Sequence, residues 1–224
     1  MSCSWVIVTA LLFTPNTFSE PNTEKSAEYD VYFGEAHVGE LRYKITLKEN
    51  KALQTQIRSE YSFQDFQQTN VQENEYDFEG RPIRKYLRTT GDSERTIIAS
   101  FGKDSVHIVR EEKGKRSTQT IPIPKGAEIR AKSEFWFLTV TPRIGKQYEY
   151  YRFDLTNLLW HKIRAVYSGK ETIRVGKKDV VAHAITQTDL EGKVSIHEIK
   201  LWLDDNGVPL LMVSEKMRVE RKSK

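Results

Sequence analysis

Between Leu41 and Lys48 the chain alternates without a fault: Leu41, Tyr43, Ile45 and Leu47 are apolar or aromatic, and Arg42, Lys44, Thr46 and Lys48 are polar or charged. Successive side chains of an extended strand point to opposite faces, so this pattern makes a strand with one dry and one wet face. Leu53, Ile57, Tyr61 and Phe63 repeat it against Gln54, Gln56, Arg58 and Glu60. Strands of this kind belong to antiparallel sheets. Further β-forming runs follow at Thr69–Phe78, Ile83–Thr90, Glu94–Phe101 and Ser105–Glu111, then Ser117–Ile123 after the turn Glu112-Lys113-Gly114-Lys115. The expected fold is mainly β, a long antiparallel meander forming a curved sheet or partly open barrel.

The second half carries the clearest turn chemistry. Thr172–Val175 meets Val180–Thr188 across Gly176, and that strand meets Val194–Leu203 across Glu191-Gly192. Asp204-Asp205-Asn206-Gly207 then turns into Pro209–Val219, read as one final strand. Asp204 can bond its own turn backbone, Gly207 supplies a positive φ, and Pro209 opens the next strand with a stiffened exit. Asp77, Gly80 and Pro82 have the same spacing, and a glycine hairpin precedes each turn, at Gly34 and at Gly176. The recurrence reads either as two related halves or as turn chemistry common to any β-protein.

Two stretches depart from the meander. Lys132–Thr141 holds the consecutive Phe135, Trp136, Phe137 and Leu138 ahead of Pro142. With Ser133 as N-cap this predicts a short helix over 133–141 on the concave face of the sheet, a buried strand being the alternative. Extended structure returns at Tyr148–Phe153 and Leu158–Tyr167, with Trp160 in the latter. The other stretch is Met1–Ser19, which has no charged side chain and an apolar run Trp5–Phe13, too short to span a membrane. It reads as an export signal with small residues at Thr17 and Ser19 for cleavage. The expected organisation is a signal at 1–19, a polar linker at 20–27, one β-domain at 28–219 and a basic tail at 220–224. The location is exported, periplasmic or extracellular, and removal of the leader would take the one cysteine, Cys3, with it.

Composition narrows the function. Lys and Arg number 35 against 31 Asp and Glu, interspersed, so no basic stripe points to nucleic acid. Of the five histidines only His183 and His197 come near a shared strand pair. A two-residue turn at Glu191-Gly192 would set residue 183 opposite 200 and put the two rings on opposite faces, so no metal site is expected. Glu73, Glu75 and Asp77 read as a solvated outer face. Ser168-Gly169 lacks the leading glycine of a nucleophile elbow, and no phosphate loop occurs. No catalytic residue and no cofactor are assigned, with a hydrolase of dispersed site left as the remote case. Two readings remain. Phe135, Trp136, Phe137, Trp160 and Trp202 could line a groove for a hydrophobic small molecule or lipid, or they plug the core. In the second case the chain is a structural or interaction module that offers an open sheet edge to an envelope protein partner.

The segments YDVYFGEAHVGELRYKI, TPRIGKQYEYYRFD, SGKETIRVGKKDVVAHAI and LWLDDNGVPLLM together resemble a group of exported bacterial β-proteins classed as domains of unknown function, over most of residues 28–215. The shared motifs are turn motifs and bring no catalytic residue with them. The resemblance implies an envelope protein with a curved antiparallel sheet, similar to the half-open barrels of lipoprotein carriers.

Overall fold

The computed structural model describes residues 24–47, 53–63, 66–77, 81–127, 143–191, 198–205 and 207–222. The expected helix at 133–141, the leader at 1–19 and the turn residue Gly80 lie outside them, and no helix occurs among the described residues. The strands are β1 (Glu24–Phe33), β2 (Ala36–Leu47), β3 (Leu53–Phe63), β4 (Phe66–Tyr76), β5 (Pro82–Gly91), β6 (Arg95–Phe101), β7 (Ser105–Glu112), β8 (Lys115–Pro122), β9 (Gln147–Asp154), β10 (Leu159–Val175), β11 (Lys178–Asp189), β12 (Glu198–Leu203), β13 (Pro209–Val213) and β14 (Met217–Arg221). They form one 14-stranded sheet in the order β8-β7-β6-β5-β4-β3-β2-β1-β14-β13-β12-β11-β10-β9. The first and last strands pair at its middle, Val31 opposite Val219, which leaves β8 and β9 as the two edges among the described residues.

The alternation seen in β2 decides which way this sheet curls. Leu41, Tyr43 and Ile45 are buried with Val31, Ile57, Ile163, Ala165, Ile185 and Leu201 in a first core, drawn from strands on both sides of the centre. A second core holds Leu87, Ile97, Ala99, Val106 and Ile108 from β5–β7 together with Phe153 and Trp160 from β9 and β10. Along β9 the first core takes Tyr150 and the second takes Phe153; along β10 they take Ile163 and Trp160. Those residues differ in parity and so point to opposite faces. The β9–β10 hairpin is therefore packed on both sides. The sheet does not meet itself edge to edge: β5–β8 overlap the outside of β9–β10. Each buried aromatic ring there removes ~150–250 Å² from water, roughly 4–6 kcal/mol of gross transfer energy.

Three expectations need correction. Residues 209–219 are not one strand, because Ser214 N–H donates to Met217 O at 2.9 Å and splits them into the hairpin β13–β14. Leu158–Tyr167 and Thr172–Val175 are not two strands but parts of the single strand β10. The pairing with β11 shifts register between Tyr167 and Gly169, and Gly169 sits at φ 110°, open to glycine and costly for other residues. The bulge swaps the faces of the strand: Ile163, Ala165 and Tyr167 face the first core, while Ile173 and Val175 join a third, smaller cluster with Ala182 and Leu210. Lastly, His183 lies opposite Leu203 and not residue 200, so the β11–β12 connection is longer than two residues.

The paired aspartate turns have one geometry. Arg81 N–H donates to Asp77 Oδ1 at 2.9 Å and Val208 N–H donates to Asp204 Oδ1 at 2.9 Å. In each, the aspartate N–H returns a bond to the carbonyl of that same partner, Arg81 or Val208, at 2.9 Å. Pro82 then opens β5 opposite Tyr76, and Pro209 opens β13 opposite Leu203, each just past a register shift. Gly207 has φ 75°, Gly34 φ 58° and Gly176 φ 57°. Strands β2, β3 and β4 separate Gly34 from Asp77, whereas β11 and β12 separate Gly176 from Asp204.

Candidate functional site

The overlap is where the chemistry-bearing side chains gather. Trp160 lies within it, 6% exposed, edge-on to Phe153 at 5.0 Å and to Phe101 at 6.3 Å between ring centroids. Its indole N–H donates to Pro122 O at 3.0 Å, tying β10 to the last residue of β8. Lys85 of β5, also buried, donates to Phe153 O at 3.3 Å and holds its ammonium 6.0 Å from the Phe101 ring centre. An edge carbonyl of β9 thereby has a charged donor in a setting where an unmet one would be costly.

At one end of the hairpin a buried polar cluster closes the site. His161 is 1% exposed, and its Nδ1 lies 2.9 Å from Asp189 Oδ2 at the end of β11. Its Nε2 lies 3.4 Å from Asp154 Oδ2 at the end of β9. Asp154 also caps the loop to β10: its Oδ1 accepts Thr156 N–H at 2.7 Å and Asn157 N–H at 3.2 Å, and its Oδ2 accepts the Asn157 side-chain amide at 2.7 Å. Burial pushes this carboxyl up, but the bonds from His161, from the Asn157 side chain and from the two loop amides outweigh it and hold it at about 2. Nearby Arg95 has its guanidinium pulled down, first by burial and then by Arg110, against Glu112 and Asp154. With both ring nitrogens of His161 engaged and the ring out of reach of solvent, the cluster fastens β9, β10 and β11; it does not present a base to a substrate.

A second relay stands on the other side of the Gly169 bulge. Lys170 Nζ donates to Asp205 Oδ1 at 2.8 Å, His183 Nε2 lies 3.1 Å from the same oxygen, and His183 Nδ1 lies 2.9 Å from Tyr167 Oη. Burial, with Asp205 adding to it against Lys170, raises the Tyr167 phenol. Tyr167 therefore stays neutral, the opposite of an activated nucleophile. Among the described residues no group of three His, Cys, Asp or Glu is placed to hold a metal ion. His197 lies outside those residues.

The other candidates separate. Phe135, Trp136 and Phe137 lie outside the described residues. Trp202 does not join Trp160; it is half-buried against the third cluster, donates its indole N–H to Glu171 Oε2 at 2.9 Å and carries Lys200 Nζ 5.4 Å from its ring centre. Among the described residues an apolar hollow lies between Leu41, Tyr61, Ile199, Met212, Met217 and Val219, with a free volume of about 10 Å³. That is about one water, against the ~300 Å³ or more that a ligand pocket takes. The Asp154–His161–Asp189 cluster escaped sequence reasoning, although one signal was available: His161 is in phase with Ile163, Ala165 and Tyr167, a run that points inward.

The open surface is β8. Every residue from Lys115 to Thr120 is exposed. Lys113 and Gly114 have φ 51° and 73°, so the β7–β8 turn is a two-residue hairpin of the primed kind, and Glu112 and Lys115 exchange bonds across it. The ladder runs on without a shift to Ser105 opposite Pro122. Lys115, Ser117, Gln119 and Ile121 therefore bond to β7, while the N–H and C=O groups of Arg116, Thr118 and Thr120 point away from the sheet. The Trp160–Pro122 bond agrees, since Pro122 O must point the same way to receive it.

No protein-family model and no curated protein matches the sequence. Among solved structures the chain is similar to a β-barrel-like protein of the domain of unknown function DUF1849 from Brucella abortus, with TM-score 0.62 and 15% sequence identity. The match covers 91% of this chain and 97% of that one. The likeness to β-proteins of unknown function read from the sequence thus holds at the level of the fold.

Proposed function

We propose that this chain is an exported envelope domain that acts through its surface, adding a partner's strand to the free edge of β8. The exposed, unpaired row at Arg116, Thr118 and Thr120 carries this reading. A free sheet edge is a ready template for another strand. The packing of Trp160 supports it from the other side, because the ring that might have lined a groove is spent in the overlap. Export rests on the apolar run Trp5–Phe13 alone. The competing reading, a carrier for a lipid-like molecule, needs a far larger cavity than the hollow between Leu41, Tyr61, Ile199 and Met212.

The test is a photoreactive side chain at Thr118 in cells, with one at Arg88, an exposed residue of β5, as control. The expected result is a discrete adduct from Thr118 and none from Arg88. Lipid extracted from natively purified protein should be absent at stoichiometric levels. A bare Thr118 together with one bound lipid per chain would overturn the reading in favour of a carrier.

A further inference from the structure

The geometry points to a second copy of this chain as the strand that adds to β8, an inference that rests on β8 being a docking edge. The free groups are symmetric about Thr118. Two residues beyond it on one side are the outward N–H and C=O of Arg116, and two beyond on the other are those of Thr120. Past these, the template stops at both ends. Pro122 has no N–H and its carbonyl is taken by Trp160, and at the other end the chain turns back at Lys113-Gly114. An antiparallel mate centred on Thr118 therefore sets Thr118 opposite its own copy and Arg116 opposite the mate's Thr120, with both members of each pair exchanging N–H···O=C bonds.

Charge fits the same register. Lys115 and Arg116 stand at one end of the strand, and Ser117 to Ile121 are uncharged. Antiparallel self-pairing lays the basic end of each copy against the neutral end of the other, so no like charges face each other. Pairing also stops at two. The opposite edge of the sheet, β9, is covered where Phe153 lies in the overlap, so a two-fold contact through β8 closes on itself and does not grow into a fibre. A contact this short gives a weak, concentration-dependent dimer, below the area of a permanent interface.

The experiment is sedimentation equilibrium of the full chain over a wide concentration range, with Thr118→Asp, Thr118→Lys and Thr118→Pro. Because residue 118 faces itself across the axis, each charged variant should dissociate roughly two- to fivefold more readily, and an equimolar mixture of the two should recover the wild-type constant or better. Thr118→Pro removes an N–H that β7 does not use and should weaken association about tenfold or more. Circular dichroism checks that each variant is folded, and the charge-swap mixture decides the matter if the proline variant is not. A dimer indifferent to all three substitutions, or charged variants that do not rescue each other, would overturn the proposal. A monomer at every concentration whose Thr118 amide exchanges fast refutes self-pairing yet leaves the edge free for another protein. A monomer whose Thr118 amide exchanges slowly refutes both readings, since the edge is then covered by its own chain.

Discussion

Asp154 shows how one side chain can hold three strands. It ends β9, caps the loop into β10, and reaches His161, whose other nitrogen faces Asp189 of β11. Its carboxyl sits at about 2, below its ordinary 3.8, so the folded state binds this proton less readily than the unfolded chain does. The stabilisation is therefore fully present above about pH 4 and is lost as pH falls toward 2, and it amounts to ~2 kcal/mol. Urea denaturation of wild type and Asp154→Asn across that range should show a gap that is widest near neutrality and narrows toward pH 2. A gap independent of pH would mean that ionised Asp154 contributes nothing. In sequence the Asp-Leu-Thr-Asn loop announces a cap but not a partner on another strand.

At the scale of elements, what the sequence made legible was whatever is local. The alternation in β2, the Lys113-Gly114 hairpin and the two aspartate turns each depend on a few neighbouring residues, and the structure has them where the residues say. What failed depends on distance or on a change of phase. The Gly169 bulge switches the buried face partway along β10, so its apolar pattern reads as two strands; Ser214-Glu215-Lys216 has no glycine or proline to mark it as a turn. The separation of Trp160 and Trp202 into different clusters was hidden for a like reason, since alternation gives a residue's face but not which other strands lie over it. The Asp204 turn offers a local check. Gly207 has φ 75°, so Gly207→Val should destabilise by more than ~1 kcal/mol and Gly207→Asn by less, as measured by thermal or urea unfolding. Equal, negligible losses would contradict the left-handed turn.

Over the whole molecule, one arrangement links the packing to the proposed function. By lapping β5–β8 over β9–β10, the sheet covers part of one edge, packs Phe101, Phe153 and Trp160 between its layers, and leaves β8 as the free edge among the described residues. The polar bonds across the lap, Lys85 to Phe153 O and Trp160 to Pro122 O, settle backbone acceptors on both edge strands. Phe101 on β6 and Trp160 on β10 are far apart in sheet order and touch only because of this overlap. A double-mutant cycle with Phe101→Leu and Trp160→Leu therefore measures the overlap itself. The account predicts that the two losses in unfolding free energy couple by ~0.5–1.5 kcal/mol; strict additivity would contradict it.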